Sequence, residues 1–241
     1  MSIVLGEMAD LLFVEKRAGQ PVFPWHSRPT WADQDARSVA EVLAQVRPEQ
    51  ESVNWPKGFE CGILHRLDVS TSGVLVVSRR LEVFDSMRLL FADRRLTKRY
   101  FFYTDRDVPW DAHTEQAQLA HHPKNRKKMV SQRSPNTSKR GRWMPAITHF
   151  RRVQGGLWEA RIPTGVMHQI RVHAQGVGLP LYGDTLYGGT ALAEAWPATH
   201  PGLSFFLHAA QIASDQWTSP TLELPTWWPG ANERGTVVEG R

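Results

Sequence analysis

The chain has 241 residues, 41% of them hydrophobic, and a net charge of +5; that is long enough for one large core or two small ones. Its single cysteine, Cys61, excludes an internal disulfide and a cysteine-based metal cluster, and no apolar run is long enough to span a bilayer. Met1 to Lys16 carries Glu7 and Asp10 inside its apolar stretch, which does not suit a secretory signal, so a cytoplasmic location and no membrane partner are expected.

Residues 11–15 read as a short strand, broken by Lys16-Arg17-Ala18-Gly19-Gln20-Pro21. Asp33, Gln34 and Asp35 precede a helical apolar spacing over residues 36–45, with the acids where a helix N-terminus favours them. Pro48 is expected to stop that helix and polar residues 49–57 to form a loop. Two apolar runs, Gly62-Ile63-Leu64 and Val74-Leu75-Val76-Val77, flank His65-Arg66-Leu67-Asp68-Val69-Ser70-Thr71-Ser72-Gly73. This predicts two strands joined by a polar turn. A turn held on a rigid scaffold is a usual place for chemistry; an Asp and a Ser/Thr cluster also cap turns for purely structural reasons.

Residues 81–91 have the spacing of an amphipathic helix, and the aromatic-rich residues 96–103 read as a strand. From Gln116 to Trp158 there is no Asp or Glu, but Lys124, Arg126, Lys127, Lys128, Arg133, Lys139, Arg140, Arg142, Arg151 and Arg152 all fall there. The rest of the chain is therefore net negative. A polyanion, most commonly nucleic acid, is the natural partner of such a window. Residues 121–145, poor in apolar side chains, are expected to form an exposed, mobile loop or hairpin. Residues 146–153 and 157–162 read as two strands turned by Gly155-Gly156. His168 and His173 are five residues apart, which suits neither one helical face nor the His-Glu-x-x-His pattern; no metal site is expected.

The turn sequence resembles the signature of the RluA-type pseudouridine synthases, His-Arg-Leu-Asp, two variable residues, then Thr-Ser-Gly. His65, Arg66, Leu67, Asp68, Thr71, Ser72 and Gly73 meet it in full. A second long stretch, Pro163-Thr164-Gly165-Val166-Met167-His168-Gln169-Ile170-Arg171-Val172-His173, is similar to the family's Thr-Gly-Arg-x-His-Gln-Ile-Arg-x-His element. Gly178-Leu179-Pro180 and Gly183-Asp184-Thr185-Leu186-Tyr187-Gly188 follow it in the family's order. Shorter matches are Lys16, Ala18 and Gly19 in the opening element, Lys98 and Tyr100 in Lys-x-Tyr, Ala146 and Thr148, and the closing Leu207-His208-Ala209. The departures are Arg17 where Pro is usual and Val166 where Arg is usual.

The resemblance implies an α+β fold with a mixed, largely antiparallel central sheet and flanking helices, in a single catalytic domain over residues 1–241. It implies no preceding S4-like RNA-binding domain, since the first matching element begins almost at the start of the chain. The activity implied is isomerisation of uridine to pseudouridine within ribosomal or transfer RNA, by a monomer. No electron or group enters or leaves in that reaction, so no cofactor is needed. Asp68 is the implied catalytic carboxylate, acting either as nucleophile at C1′ of the ribose or as general base for the 2′ proton. Both roles need the ionised form, and Arg171 is the implied cationic partner. Tyr100 supports the flipped base and Arg66 takes the position it vacates. Substrate contacts are assigned to His65, Leu67, Thr71, Ser72, Gly73, Lys98, His168 and Gln169, and phosphate contacts to Lys124, Arg126, Lys127 and Lys128. Two other readings compete. One is a non-catalytic RNA-binding protein retaining the fold, for which the two departures speak. The other is a different enzyme of nucleotide or phosphate chemistry, for which the sequence offers neither a phosphate-binding Gly-rich loop nor a Gly-x-Ser-x-Gly elbow.

Overall fold

The computed structural model describes residues 3–25, 37–200 and 202–231. In chain order its strands and principal helices are β1 (Val4–Glu7), β2 (Leu11–Lys16), α1 (Val39–Val46), α2 (Pro48–Ser52), β3 (Ser72–Ser78), α3 (Leu81–Ala92), β4 (Thr97–Tyr103), β5 (Ala112–Glu115), β6 (Leu119–His121), β7 (Met129–Ser131), β8 (Arg140–Met144), β9 (Thr148–Gln154), β10 (Leu157–Ile162), α4 (Gln169–Gly176) and β11 (Leu207–Ala213). The fold is α+β, with mixed but largely antiparallel strand pairing. The chain forms two compact units, one built mainly from residues 1–95 and 208–222, the other mainly from residues 96–192 and 223–241.

In the first unit the strand order is β1-β2-β3-β11. β2 and β3 run antiparallel with Leu12 opposite Val77 and Lys16 opposite Gly73, while β11 joins β3 in parallel, His208 opposite Ser72. Val74 to Val77 are all fully buried, the mark of a strand covered on both faces. Helix α1 starts at Ser38, whose Oγ accepts from Glu41 N (3.2 Å) while Glu41 Oε2 accepts from Ser38 N (2.7 Å). This capping box satisfies two otherwise orphaned donors. The expected acidic start at Asp33, Gln34 and Asp35 lies outside the described residues.

Pro48 does more than stop α1: it occupies the first turn of α2, where its missing N–H costs nothing. The strand expected at residues 62–64 is reduced to a single bridge, Ile63 to Val77. Positive φ at Cys61 (55°) and Gly62 (76°) turns the chain there, and only Leu64 N continues the pairing, donating to Val76 O (3.0 Å).

In the second unit the order is β4-β10-β9-β5, all antiparallel. Its core is aromatic, with Phe102, Phe150, Trp158 and Phe206 almost fully buried. The segment expected as an exposed loop or hairpin contains the antiparallel pair β6–β7, extended by β8 into a small sheet of order β7-β6-β8. It buries Leu119, Ala120 and Met129, and Met144 packs partly buried against the same core. Leu119 and Met129 join Ala146, Val172 and Tyr187 in a local core against which Val166 also packs. The departure at Val166 therefore fills apolar space.

Candidate active site

In the first unit, residues 65–73 form a turn held from three sides. Thr71 N donates to Asp68 O (3.0 Å) and closes it. Val69 O accepts both from Gly19 N (2.9 Å) and from the ammonium of Lys16 (2.8 Å), which also donates to Arg17 O (2.9 Å). Lys16 is completely buried. Burial lowers its pKa to about 7, against the attraction of Asp68, which raises it; the two carbonyl bonds also favour the charged form. The lysine thus fixes the backbone next to Asp68 and places a basic group in its field. It was legible as a match in the opening element, but its role was not: Val69 lies 53 positions away.

The far end of the turn enters β3 through Gly73. Its φ is 131°, and a Cβ there would lie 2.3 Å from Ala209 O and 2.5 Å from Ala209 N. Glycine is required by both conformation and space. Ser72 Oγ lies 2.9 Å from His208 Nδ1, and His208 Nε2 lies 3.2 Å from Leu222 O. Since a carbonyl accepts only, Nε2 carries the hydrogen and Ser72 donates to Nδ1. Burial lowers the His208 pKa to about 4, consistent with this neutral tautomer. His65 stacks on Phe91 at 5.0 Å and its Nε2 accepts from Val76 N (3.1 Å). Leu67 and Thr71 are buried, Asp68 and Ser72 half-buried, and Arg66 exposed.

In the second unit, Arg171 lies in α4 and is buried. Its Nε and Nη2 donate to Asp184 Oδ2 (2.6 Å) and Oδ1 (2.9 Å), a two-point, charge-assisted contact. The guanidinium carbon sits 4.3 Å from the Phe205 ring centroid and 5.0 Å from that of Tyr187. Carboxylate and rings together fix its plane. Asp184 was visible in the Gly-Asp-x-x-Tyr-Gly element but not singled out; thirteen residues from Arg171, it has no local signature as a partner.

Tyr100 and Lys98 are buried in β4, opposite Ala160 and Ile162 of β10. Lys98 Nζ donates to Thr164 O (3.3 Å), and burial lowers its pKa to about 8. Gln169 is also buried. Its Oε1 accepts from Thr164 Oγ1 (2.8 Å) and Val166 N (3.1 Å), and its Nε2 donates to Ile147 O (2.8 Å) and Thr148 Oγ1 (3.1 Å). Its side-chain hydrogen bonding is met within the protein. His168 precedes α4 with φ 55°, and its Nδ1 lies 2.8 Å from Tyr187 Oη, which accepts from Met129 N (2.8 Å). His173 bonds Thr148 Oγ1 (2.8 Å) and Ala117 O (2.9 Å) and, buried, is held below the usual histidine pKa. Among the described residues no group of three or more His, Cys, Asp or Glu is placed to hold a metal ion.

The basic window divides into two kinds of cation. Arg133 pairs with Glu115 (2.8 Å) and Arg152 with Asp111 (2.8 Å), carboxylates from outside the window, while Arg151 reaches Glu159 at 3.6 Å and shares it with Arg99 and Arg161. Lys124, Arg126 and Lys127 are exposed in the β6–β7 turn, with Lys128 half-buried beside them. Within that turn His122 Nδ1 accepts from Lys124 N (3.2 Å) and Asn125 N (3.0 Å), and Asn125 Oδ1 accepts from Lys127 N (2.9 Å).

The family model described as RNA pseudouridylate synthase matches residues 10–176. A relative from Zymomonas mobilis, "Ribosomal large subunit pseudouridine synthase D", is 35% identical over 216 residues, which are 87% of this chain and 63% of the relative. "Ribosomal large subunit pseudouridine synthase C" of Vibrio vulnificus is 30% identical over 189 residues, 77% of this chain and 53% of the relative. The chain thus spans between half and two thirds of the length of these curated relatives. Among solved structures, "Human RNA Pseudouridylate Synthase Domain Containing 1" shares the fold with a TM-score of 0.65 at 22% identity, over 95% of this chain and 84% of that one.

Proposed function

This chain belongs to the RNA pseudouridylate synthase family, and from that membership we propose that it isomerises a specific uridine to pseudouridine in ribosomal RNA, with Asp68 as the catalytic carboxylate. The observation that carries the reading is the turn around Asp68. A buried ammonium, a glycine that admits no Cβ and a neutral histidine together hold the backbone of the turn that carries the half-buried Asp68. A backbone fixed in this way supports the positioning that catalysis needs.

In the proposed reaction the uridine is flipped out of its stack, at a cost of about a few kcal/mol that contacts to the RNA offset. The C1′–N1 bond breaks, the base turns, and C5 bonds to C1′. The C5 hydrogen leaves as a proton and N1 gains one, so atoms balance without a redox partner. Asp68 assists either by attack at C1′ or by taking the 2′ proton. Lys16 is a positioning residue, Tyr100 and Arg171 act in the roles the family pattern assigns them, and the exposed cations of the β6–β7 turn contact phosphates. Ribosomal RNA is preferred over transfer RNA because the curated relatives above are named for the large ribosomal subunit.

The test is tritium release from RNA carrying [5-³H]uridine, using the purified full chain. Large-subunit RNA should release tritium with wild-type protein and none with Asp68→Ala. RNA binding without release from ribosomal or transfer RNA would favour the non-catalytic reading.

A further inference from the structure

A cavity of about 440 Å³ opens in the second unit between the basic hairpin and helix α4. It is far larger than the roughly 30 Å³ share of one water and lies within the about 300–1,000 Å³ of sites that enclose small ligands. Its floor is apolar: Met129 and Val172 are buried members of the local core, and Leu186 packs against them. Its polar lining includes Lys128, Ser131 and Gln175. Neither Asp68 nor Tyr100 lines it.

We propose that this cavity binds an unpaired nucleotide of the RNA, distinct from the uridine to be isomerised. The identification of the ligand rests on the RNA reading above. An apolar floor suits the flat face of a base, and hydroxyl and amide groups suit the edges of base and ribose. The one lysine in the lining continues the exposed run Lys124, Arg126 and Lys127, so the chain of phosphates on either side of the bound nucleotide meets positive charge. An acidic peptide would satisfy the lysine run, but short carboxylate side chains would leave the apolar floor uncovered.

The place of the cavity gives such binding a consequence. Lys128 lies over the Tyr187 ring at 5.5 Å, and Arg171 lies over the same ring at 5.0 Å. Val172 and Gln175, both in the lining, belong to the helix that carries Arg171. A nucleotide seated here would hold the hairpin and α4 together around Tyr187. The site is thus suited to select an RNA that carries an unpaired residue, a preference that phosphate contacts alone do not give.

The experiment titrates adenosine monophosphate, adenosine and inorganic phosphate separately into the isotope-labelled full chain, reading amide resonances. Adenosine monophosphate should shift Met129 to Ser131 and Gln175, with adenosine weaker and phosphate weaker still. Ser131→Trp and Thr137→Trp, which fill the cavity, should abolish those shifts and weaken binding of the RNA substrate about tenfold. Shifts confined to other regions, equal response to phosphate alone, or unchanged RNA affinity in both variants would each overturn the proposal. The wild-type titration decides the matter even where a tryptophan variant unfolds. It uses no isomerisation, so absence of tritium release would count against the enzymatic reading and leave this result standing.

Discussion

Replacing Arg171 by lysine keeps the charge and should still be damaging. In the native protein the guanidinium makes two parallel bonds to Asp184, at 2.6 and 2.9 Å, and stacks near Phe205 and Tyr187. An ammonium is a point charge and can hold only one carboxylate geometry at a time. One charge-assisted hydrogen bond lost at a buried site is worth about 1.5–3 kcal/mol, and the lost ring contact about 0.5–2 kcal/mol. A total of about 2–5 kcal/mol is expected. With a urea dependence of about 2 kcal/mol per molar, the unfolding midpoint should fall by about 1–2.5 M. Asp184→Asn should cost about as much or more, roughly 3–5 kcal/mol, because it removes the charged half of this buried two-point contact. Urea titration followed by tryptophan fluorescence gives both values, and tritium release on the folded fraction gives turnover. An Arg171→Lys protein with the wild-type midpoint and turnover would refute the assignment of a fixed, two-point guanidinium.

Gly73→Ala meets Ala209 backbone atoms and a positive φ, so it should lose about 3 kcal/mol or more; a melting temperature equal to wild type would show that β11 yields easily. Lys16 has its pKa lowered from 10.5 to about 7 by burial. Below pH 7 both folded and unfolded chains carry the proton. Between about 7 and 10.5 the unfolded chain binds more protons, so this residue makes stability rise with pH through that window, by a few kcal/mol at most. Lys16→Met should flatten the rise in urea midpoint between pH 7 and 10 and lower turnover by loosening Val69; an unaltered slope would contradict the buried-lysine account. Changing Lys124, Arg126, Lys127 and Lys128 together to glutamine should weaken RNA binding and reduce its log–log salt slope by about 3. A filter-binding series with the wild-type slope would remove the hairpin from the RNA contact.

What the sequence revealed and what it hid follow from the range of the interactions. The continuous apolar run of β3 and the aromatic run of β4 are strong local signals, as is the amphipathic spacing of α3. The motif residues of the Asp68 turn were equally plain. The sheet β7-β6-β8 was not, because its strands are three to five residues long. They are stabilised by packing of Leu119 and Met129 on Val172 and Tyr187, some fifty residues away. β5, with sequence Ala-His-Thr-Glu, carries no strand pattern and pairs only because β9 offers it an edge. The motif residues were legible, whereas the residues that hold them were not. Lys16 acts on Val69, Asp184 on Arg171 and His208 on Ser72 across long sequence separations. Charge counting likewise could not show that Arg133 and Arg152 are paired to acids elsewhere in the chain.

The proposed isomerisation and its dependence on Asp68 are tested most directly by mapping pseudouridine across total RNA from cells with the gene, without it, and with Asp68→Ala restored. The expected result is a site in large-subunit ribosomal RNA that disappears with the gene, returns with wild type and fails to return with the alanine variant. A site restored by Asp68→Ala would contradict the catalytic assignment, and an unchanged map in the deletion strain would contradict the activity itself.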